Sequence, residues 1–231
     1  MMVKQYLNDL VSLFFPQTCA GCDVPLAYGE QLICTACWFH LPYTYAHLDS
    51  ENASARQFWG RVKLEAAASY LYFKEASRVQ QIIYHFKYKS RPELGLILGE
   101  RYGELLKESP PFNRADVIVP VPLHPAKLRK RGYNQSALFA EGLCRAMQIP
   151  VAALCLARVK ATRSQTQVNR YARHENMLEA FEIRDPEIIG GKHVLLADDV
   201  LTTGATIEAC ASVLLDAGAA KVSAVTIAKA L

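Results

Sequence analysis

Residues 193–206 read HVLLADDVLTTGAT. Four apolar residues (Val194, Leu195, Leu196, Ala197) run into two adjacent carboxylates, Asp198 and Asp199. A turn of small residues, Thr202-Thr203-Gly204-Ala205-Thr206, then opens into an apolar pattern of helical spacing over 207–215. An uninterrupted apolar run suits a strand covered on both faces, as in a parallel sheet. A turn entering a helix aims backbone N–H groups at an anion. Open α/β sheets bind ligands at the carboxyl ends of their strands, where this acidic pair falls.

Each residue type in the motif has a chemical use. Gly204 lets backbone approach a phosphate closely or adopt positive φ. Thr202, Thr203 and Thr206 offer hydroxyls to phosphate oxygens. Asp198 and Asp199 can accept from two vicinal ribose hydroxyls, and carboxylates beside substrate oxygens suit Mg²⁺. A solvated acid pair beside a capping threonine would explain one acid and one threonine. It does not explain two acids, three threonines and a glycine within thirteen residues.

The motif resembles the phosphoribosyl pyrophosphate (PRPP) motif of type I phosphoribosyltransferases. The resemblance implies that Asp198 and Asp199 hold the ribose as catalytic residues. It also implies that Thr202, Thr203, Gly204, Ala205 and Thr206 cradle the 5′-phosphate.

The chain has 231 residues, about half of them apolar, enough for one α/β domain and a small appendage. Its net charge of +4 is unevenly spread: residues 127–173 carry ten Lys/Arg against one acid, Glu141, for a net +9, leaving −5 elsewhere. Such a field points to a polyanion, either pyrophosphate or nucleic acid. No apolar run approaches the roughly 18 residues of a membrane span, so membrane insertion is not expected. The N-terminal stretch, with Tyr6, Leu7, Leu10, Leu13 and Phe14 at helical spacing, reads as a short amphipathic helix rather than a signal peptide. The expected compartment is the bacterial cytoplasm.

Four of seven cysteines fall as Cys19-x2-Cys22 and Cys34-x2-Cys37, with eleven residues between the pairs. Two such knuckles can place four thiolates around a structural Zn²⁺. A module this small gains its fold from the metal. Cys144, Cys155 and Cys210 sit in apolar patterns and read as core. Residues 1–45 are expected to hold the N-terminal helix and zinc ribbon, 46–65 a linker, and 66–231 the phosphoribosyltransferase-like domain.

Strands are expected at 66–73, 117–121, 153–159 and 221–228, with helices over 76–86, from Pro92 to about Lys107, and 135–147. Lys87, Lys89 and Arg91 form a small basic cluster between two of these helices. The stretch PLHPAKLRKRGYNQ follows a strand and reads as a basic loop. Its Arg129, Lys130, Arg131, Asn134 and Gln135 could reach pyrophosphate oxygens, with Arg suited to bidentate contact. A second basic tract, 158–173, suits a mobile loop closing over a charged ligand. Tyr88, Tyr133 and Tyr171 interleave with these cations and are read as packing residues.

The order of parts resembles the competence protein F (ComF) family over nearly the whole chain. These parts are the paired CxxC knuckles, FKYKSRPELG, VPVPLHPAKLRKRGYNQ, the basic tract and LLADDVLTTGAT. That family implies a type I phosphoribosyltransferase fold, a mostly parallel five-stranded sheet with flanking helices, behind an N-terminal zinc ribbon. It implies structural Zn²⁺, Mg²⁺ carried with PRPP, and handling of single-stranded DNA with the DNA-uptake machinery during natural transformation. The residues expected at pyrophosphate are His124, Arg129, Arg131, Lys160 and Arg163. Those expected at DNA are Lys127, Lys130, Lys160, Arg163, Arg170 and Arg173. The alternative is an active transferase of nucleotide metabolism, in which an unidentified nitrogen nucleophile displaces pyrophosphate from Mg–PRPP. The sequence shows no hood that would select a base, and enzyme and binding protein both remain open.

Overall fold

The computed structural model describes residues 16–159 and 180–231. Four strands form one all-parallel sheet: β1 (Ala66–Phe73), β2 (Val117–Pro120), and, past a small ribbon, β5 (His193–Leu201) and β6 (Lys221–Ala230), in the order β1-β6-β5-β2. β5 and β6 are interior, and β6 is buried without a break from Val222 to Ala228. Continuous apolar runs are required here because both sheet faces are covered. On β5, Leu195 and Ala197 join the core on one face, while Val194 and Leu196 join the core on the other.

The first face is covered by α3 (Arg78–Tyr88), α4 (Glu93–Leu106) and α6 (Gln135–Met147). The other is covered by α7 (Ala205–Asp216). Two short helices lie before the sheet, α1 (Thr35–Phe39) and α2 (Ala53–Arg56). Helices α4 and α6 cross with their backbones in contact. A Cβ on Gly142 would lie 2.2 Å from the Leu96 carbonyl oxygen, and one on Gly99 2.3 Å from that of Phe139. These two glycines are what let α6 approach closely enough to set its first turn beside the end of β5.

Three expectations are revised. The basic stretch after β2 contains a helix, α5 (Pro125–Arg131), rather than only a loop. Its start and stop signals are present in the sequence: His124 Nδ1 accepts from the Ala126 N–H, Pro125 opens the first turn, and Gly132 closes it at φ 82°. Among the described residues, the fifth sheet position is a single parallel bridge, Ile118 to Val151. Ile118 N–H donates to the Pro150 carbonyl, but Pro150 has no N–H to extend the ladder. The strand expected at 153–159 shortens to β3 (Leu156–Arg158), which pairs antiparallel with β4 (Phe181–Ile183) in a separate ribbon.

The segment expected as linker is structured. It holds a 3₁₀ turn (Ala46–Leu48) and α2, and Phe58 is 1% exposed. Asn52 ties it down: its amide donates to the carbonyls of Ala46, Asp49 and Ala67, and its Oδ1 caps α2.

Replacing Gly142 with Ala forces α4 and α6 apart. Urea denaturation of Gly142→Ala should show a loss of about 1–3 kcal/mol, the usual cost of overpacking. An unchanged midpoint would show that the crossing is looser than described.

Candidate functional site

Asp198 and Asp199 stand near the carboxyl end of β5, between β6 and β2. Asp198 Oδ1 accepts from the Ser136 hydroxyl at 2.9 Å and from the Asp199 N–H at 2.8 Å. Burial, and then the adjacent Asp199 charge, push the Asp198 carboxyl up to about 7. Asp199 Oδ2 instead pairs with Lys87 Nζ at 2.7 Å, with both side chains more than four-fifths buried. The two acids are therefore unlike: Asp198 is partly protonated near neutral pH, and Asp199 is paired with a lysine.

Lys87 reaches Asp199 from the last turn of α3. The stretch of α3 around Ile82 and His85 rests on the cysteine module. A Cβ on Gly21 would lie 3.6 Å from Ile82 Cδ1, His85 Nε2 faces Asp23 at 3.4 Å, and Arg91 donates to the Thr18 carbonyl at 2.8 Å just past the helix. The sequence placed Lys87 only in a basic cluster; pairing across about a hundred residues left no local signal.

The turn expected at the 5′-phosphate follows directly. Gly204 adopts φ 77°, and Thr202 to Thr206 line a small hollow at the N-terminus of α7. A Cβ on Gly204 would meet Phe58 at 2.9 Å. Gln57 Nε2 donates to the Thr202 carbonyl at 2.6 Å, and Arg61 donates to that of Thr203 at 2.9 Å while pairing with Glu208 in the first turn of α7. The loop's carbonyls are thus engaged from behind, which leaves its N–H groups and hydroxyls for an anion. Gln57, Phe58 and Arg61 were missed because they lie in the supposed linker, where only Phe58-Trp59 and Val62 and Leu64 beyond hinted at burial, with no regular period.

On the β2 side, Lys127, Arg129 and Lys130 of α5 are exposed. Arg131 donates to Gln135 Oε1 at 2.9 Å, and its guanidinium lies 5.3 Å from the Tyr88 ring centroid. His124 and Asn134, expected at pyrophosphate, serve as caps of α5 and α6. Gln135 is 1% exposed, and its Nε2 has no partner among the described residues. A buried donor left open beside a cluster of cations suits an anion's oxygen. Lys160, Arg163, Arg170, Arg173 and Tyr171 lie outside the described residues.

The sulfur atoms of Cys19, Cys22, Cys34 and Cys37 all lie within 4.8 Å of one another, and Cys22 and Cys34 are 3.8 Å apart. Zn–S bonds of about 2.3 Å in a tetrahedron imply sulfur separations of about 3.8 Å, so the set fits zinc. Burial opposes ionisation of Cys19, but N–H groups of Cys34 and Gly21 directed at its sulfur lower the thiol to about 7. Metal analysis of the purified chain should find one zinc, lost in Cys34→Ser, and thermal melting of that variant should fall; a metal-free wild type would contradict the assignment.

The Asp198 carboxyl titrates near 3.8 when unfolded and near 7 when folded. Between those values the native state holds more protons, so its contribution to stability is present at low pH and declines as pH rises. Denaturation series should show wild type losing stability relative to Asp198→Asn from pH 4 to 7. Parallel curves would count against a raised Asp198.

Comparison with known proteins agrees with this geometry. A family model described as phosphoribosyl transferase domain matches residues 134–231, which span α6, β5, α7 and β6. The "DNA utilization protein YhgH" of Escherichia coli strain K12 is 30% identical over 226 residues, covering 91% of this chain and 96% of that protein. "Competence protein F" of Haemophilus influenzae is 32% identical over 116 residues, 50% of this chain and 51% of that one. Among solved structures, glutamine PRPP amidotransferase from B. subtilis is 21% identical with a TM-score of 0.42, covering 62% of this chain and 30% of its own. The full-length match and the phosphoribosyltransferase sheet together place this chain in the competence protein F family, a type I phosphoribosyltransferase fold behind a cysteine module that can hold zinc.

Proposed function

We propose that this chain binds Mg²⁺–PRPP at the carboxyl edge of its sheet and grips single-stranded DNA beside it during DNA uptake. One observation carries the ligand: a ribose-binding acid pair lies between an anion-binding helix N-terminus and a cationic helix. Asp198 and Asp199 take the ribose hydroxyls, and residues 202–206 take the 5′-phosphate. Arg129 and Arg131, with the open amide of Gln135, face the pyrophosphate. His124 remains a neighbour of that end through its place at the start of α5, and Lys160 and Arg163 are assigned to the same end by sequence. Mg²⁺, when bound, neutralises pyrophosphate oxygens. Asp199 must then exchange Lys87 for ribose, and Asp198 must give up its proton or donate it to a hydroxyl.

The DNA reading is supported by an exposed ridge on α3. Tyr84 and Tyr88 are 45% and 60% exposed, with ring centroids 5.5 Å apart. Lys89 lies over the first ring and Arg131 over the second. Aromatic faces interleaved with cations stack bases and track phosphates. Tyr88 is thus not the packing residue expected, whereas Tyr133, stacked on Phe86, is. Lys127 and Lys130 extend the cationic surface, and Arg170 and Arg173 are assigned to it by sequence. The names of the relatives, DNA utilization and competence, fit this role. Cysteines free of disulfides, Cys144, Cys155 and Cys210 among them, support a cytoplasmic setting. No helix among the described residues is long and apolar enough to cross a membrane.

A second reading is turnover, in which a nitrogen nucleophile displaces pyrophosphate from C1 of the ribose. The separated ribose and cationic ends favour it. Positive charge developing on the ribose would be stabilised by the carboxylates, and the leaving charge by α5.

Calorimetry with PRPP and Mg²⁺ should show binding to wild type that Asp199→Ala loses. A gel shift with single-stranded oligonucleotide should weaken with salt and in Tyr84→Ala/Tyr88→Ala. No PRPP heat, or an unaltered shift in the double variant, would contradict the corresponding half of the proposal.

A further inference from the structure

The last turn of α3 carries side chains that reach opposite ways. Lys87 turns inward to Asp199 at 2.7 Å and is more than four-fifths buried, whereas Tyr84 and Tyr88 form the exposed ridge. The connection between α5 and α6, residues 131–135, is fastened to that same turn. Tyr133 stacks on Phe86, with ring centroids 6.0 Å apart, and its hydroxyl donates to the Phe86 carbonyl. The Arg131 guanidinium covers the Tyr88 ring at 5.3 Å while donating to Gln135 Oε1 at 2.9 Å. Next along α6, the Ser136 hydroxyl holds Asp198. A closed circuit of contacts thus runs from the acid pair through Lys87 and Tyr88 to Arg131, and back through Gln135 and Ser136.

Arg131 stands where this circuit meets both candidate ligand surfaces. It is the cation on the Tyr88 face, and it is also bonded to the amide whose Nε2 is open. A guanidinium presents its donors in one rigid plane. Drawn to a pyrophosphate beside Gln135, it leaves the Tyr88 ring without its cation; held on that ring beneath a stacked base, it is withheld from pyrophosphate. Charge acts in the same direction, because both ligands are polyanions and each repels the other at close range. Lys87, released when ribose takes Asp199, does not reverse this. Its ammonium lies on the buried side of α3, toward the ligand that frees it. Lys89 stays over Tyr84 at 5.8 Å, so the ridge is weakened rather than abolished.

We propose that Arg131 is shared by the two ligands, so that Mg²⁺–PRPP and single-stranded DNA each weaken the other's binding. The inference rests on the ribose-phosphate and DNA readings above and adds the coupling between them. Linkage makes the effect reciprocal: the factor by which PRPP weakens DNA binding is the factor by which DNA weakens PRPP binding. The part of the ligand that matters is its pyrophosphate. A ligand confined to Asp198, Asp199 and residues 202–206 leaves Arg131 on Tyr88 and leaves DNA binding alone. A strand gripped on the ridge is loosened as PRPP loads, and the empty site takes the strand up again.

The test is fluorescence anisotropy of a labelled single-stranded oligonucleotide on the full chain, at fixed Mg²⁺ and fixed ionic strength, with saturation by each small ligand read by calorimetry. Saturating PRPP or pyrophosphate should weaken oligonucleotide binding by about fivefold or more, the lower end of ordinary coupling between sites. Saturating ribose 5-phosphate should change it by less than about twofold. Arg131→Met should bring the PRPP effect below about twofold, whereas Lys130→Met, which removes an equal charge from the same helix, should retain it. Should Arg131→Met melt early, the comparison of pyrophosphate with ribose 5-phosphate on wild type still decides. An equal effect from ribose 5-phosphate, or an effect lost equally in Lys130→Met, would overturn the shared residue. Oligonucleotide binding that ignores saturating PRPP, or gains from it, would contradict the antagonism. A chain that takes up no PRPP, or no oligonucleotide, would instead overturn the reading beneath it.

Discussion

Two carboxylates adjacent in sequence cannot both stay ionised at the end of a buried strand without help, and much of this fold supplies that help. Ser136 and the backbone hold Asp198, which burial drives toward neutrality. Lys87 neutralises Asp199 at 2.7 Å. Each helper depends on distant packing. Ser136 is in place because glycine contacts seat α6 against α4. Lys87 is in place because α3 is clamped between the sheet and the cysteine module. The cysteine module thus acts on the site through the helix it supports.

The same logic explains the turn at residues 202–206. A turn whose N–H groups face solvent needs its carbonyls fixed elsewhere, and Gln57 and Arg61 do so across nearly 150 residues of sequence. The close contact of Gly204 with Phe58 makes glycine necessary twice over, for its positive φ and for the space its missing side chain leaves.

The legible and illegible parts divide on physical lines. β5, the acid pair and the T-G-x-T turn were readable because each is local: an apolar run, two charges, a glycine. The thiolate cluster was readable because ligand spacing is local too. α5 was less legible as a helix because it buries no residue and so shows no apolar period; only His124, Pro125 and Gly132 mark its boundaries. The 46–65 segment was misread because polar residues with no period still order themselves when one Asn satisfies three carbonyls. Lys87, Gln57 and Arg61 reach the site only through tertiary contacts, which no window of sequence displays.

The proposed function rests on the division of charge along one sheet edge: a cationic end at α5, acids in the middle, and a turn with open N–H groups at the start of α7. Exposed tyrosines on α3 lie beside this edge, on the helix that carries Lys87. The most direct measurement is a crystal structure of the chain with Mg²⁺ and PRPP. The account predicts the 5′-phosphate on residues 202–206, the ribose hydroxyls on Asp198 and Asp199, and Lys87 released from Asp199. PRPP bound elsewhere, or a ribose that leaves the Lys87–Asp199 pair intact and untouched, would contradict it.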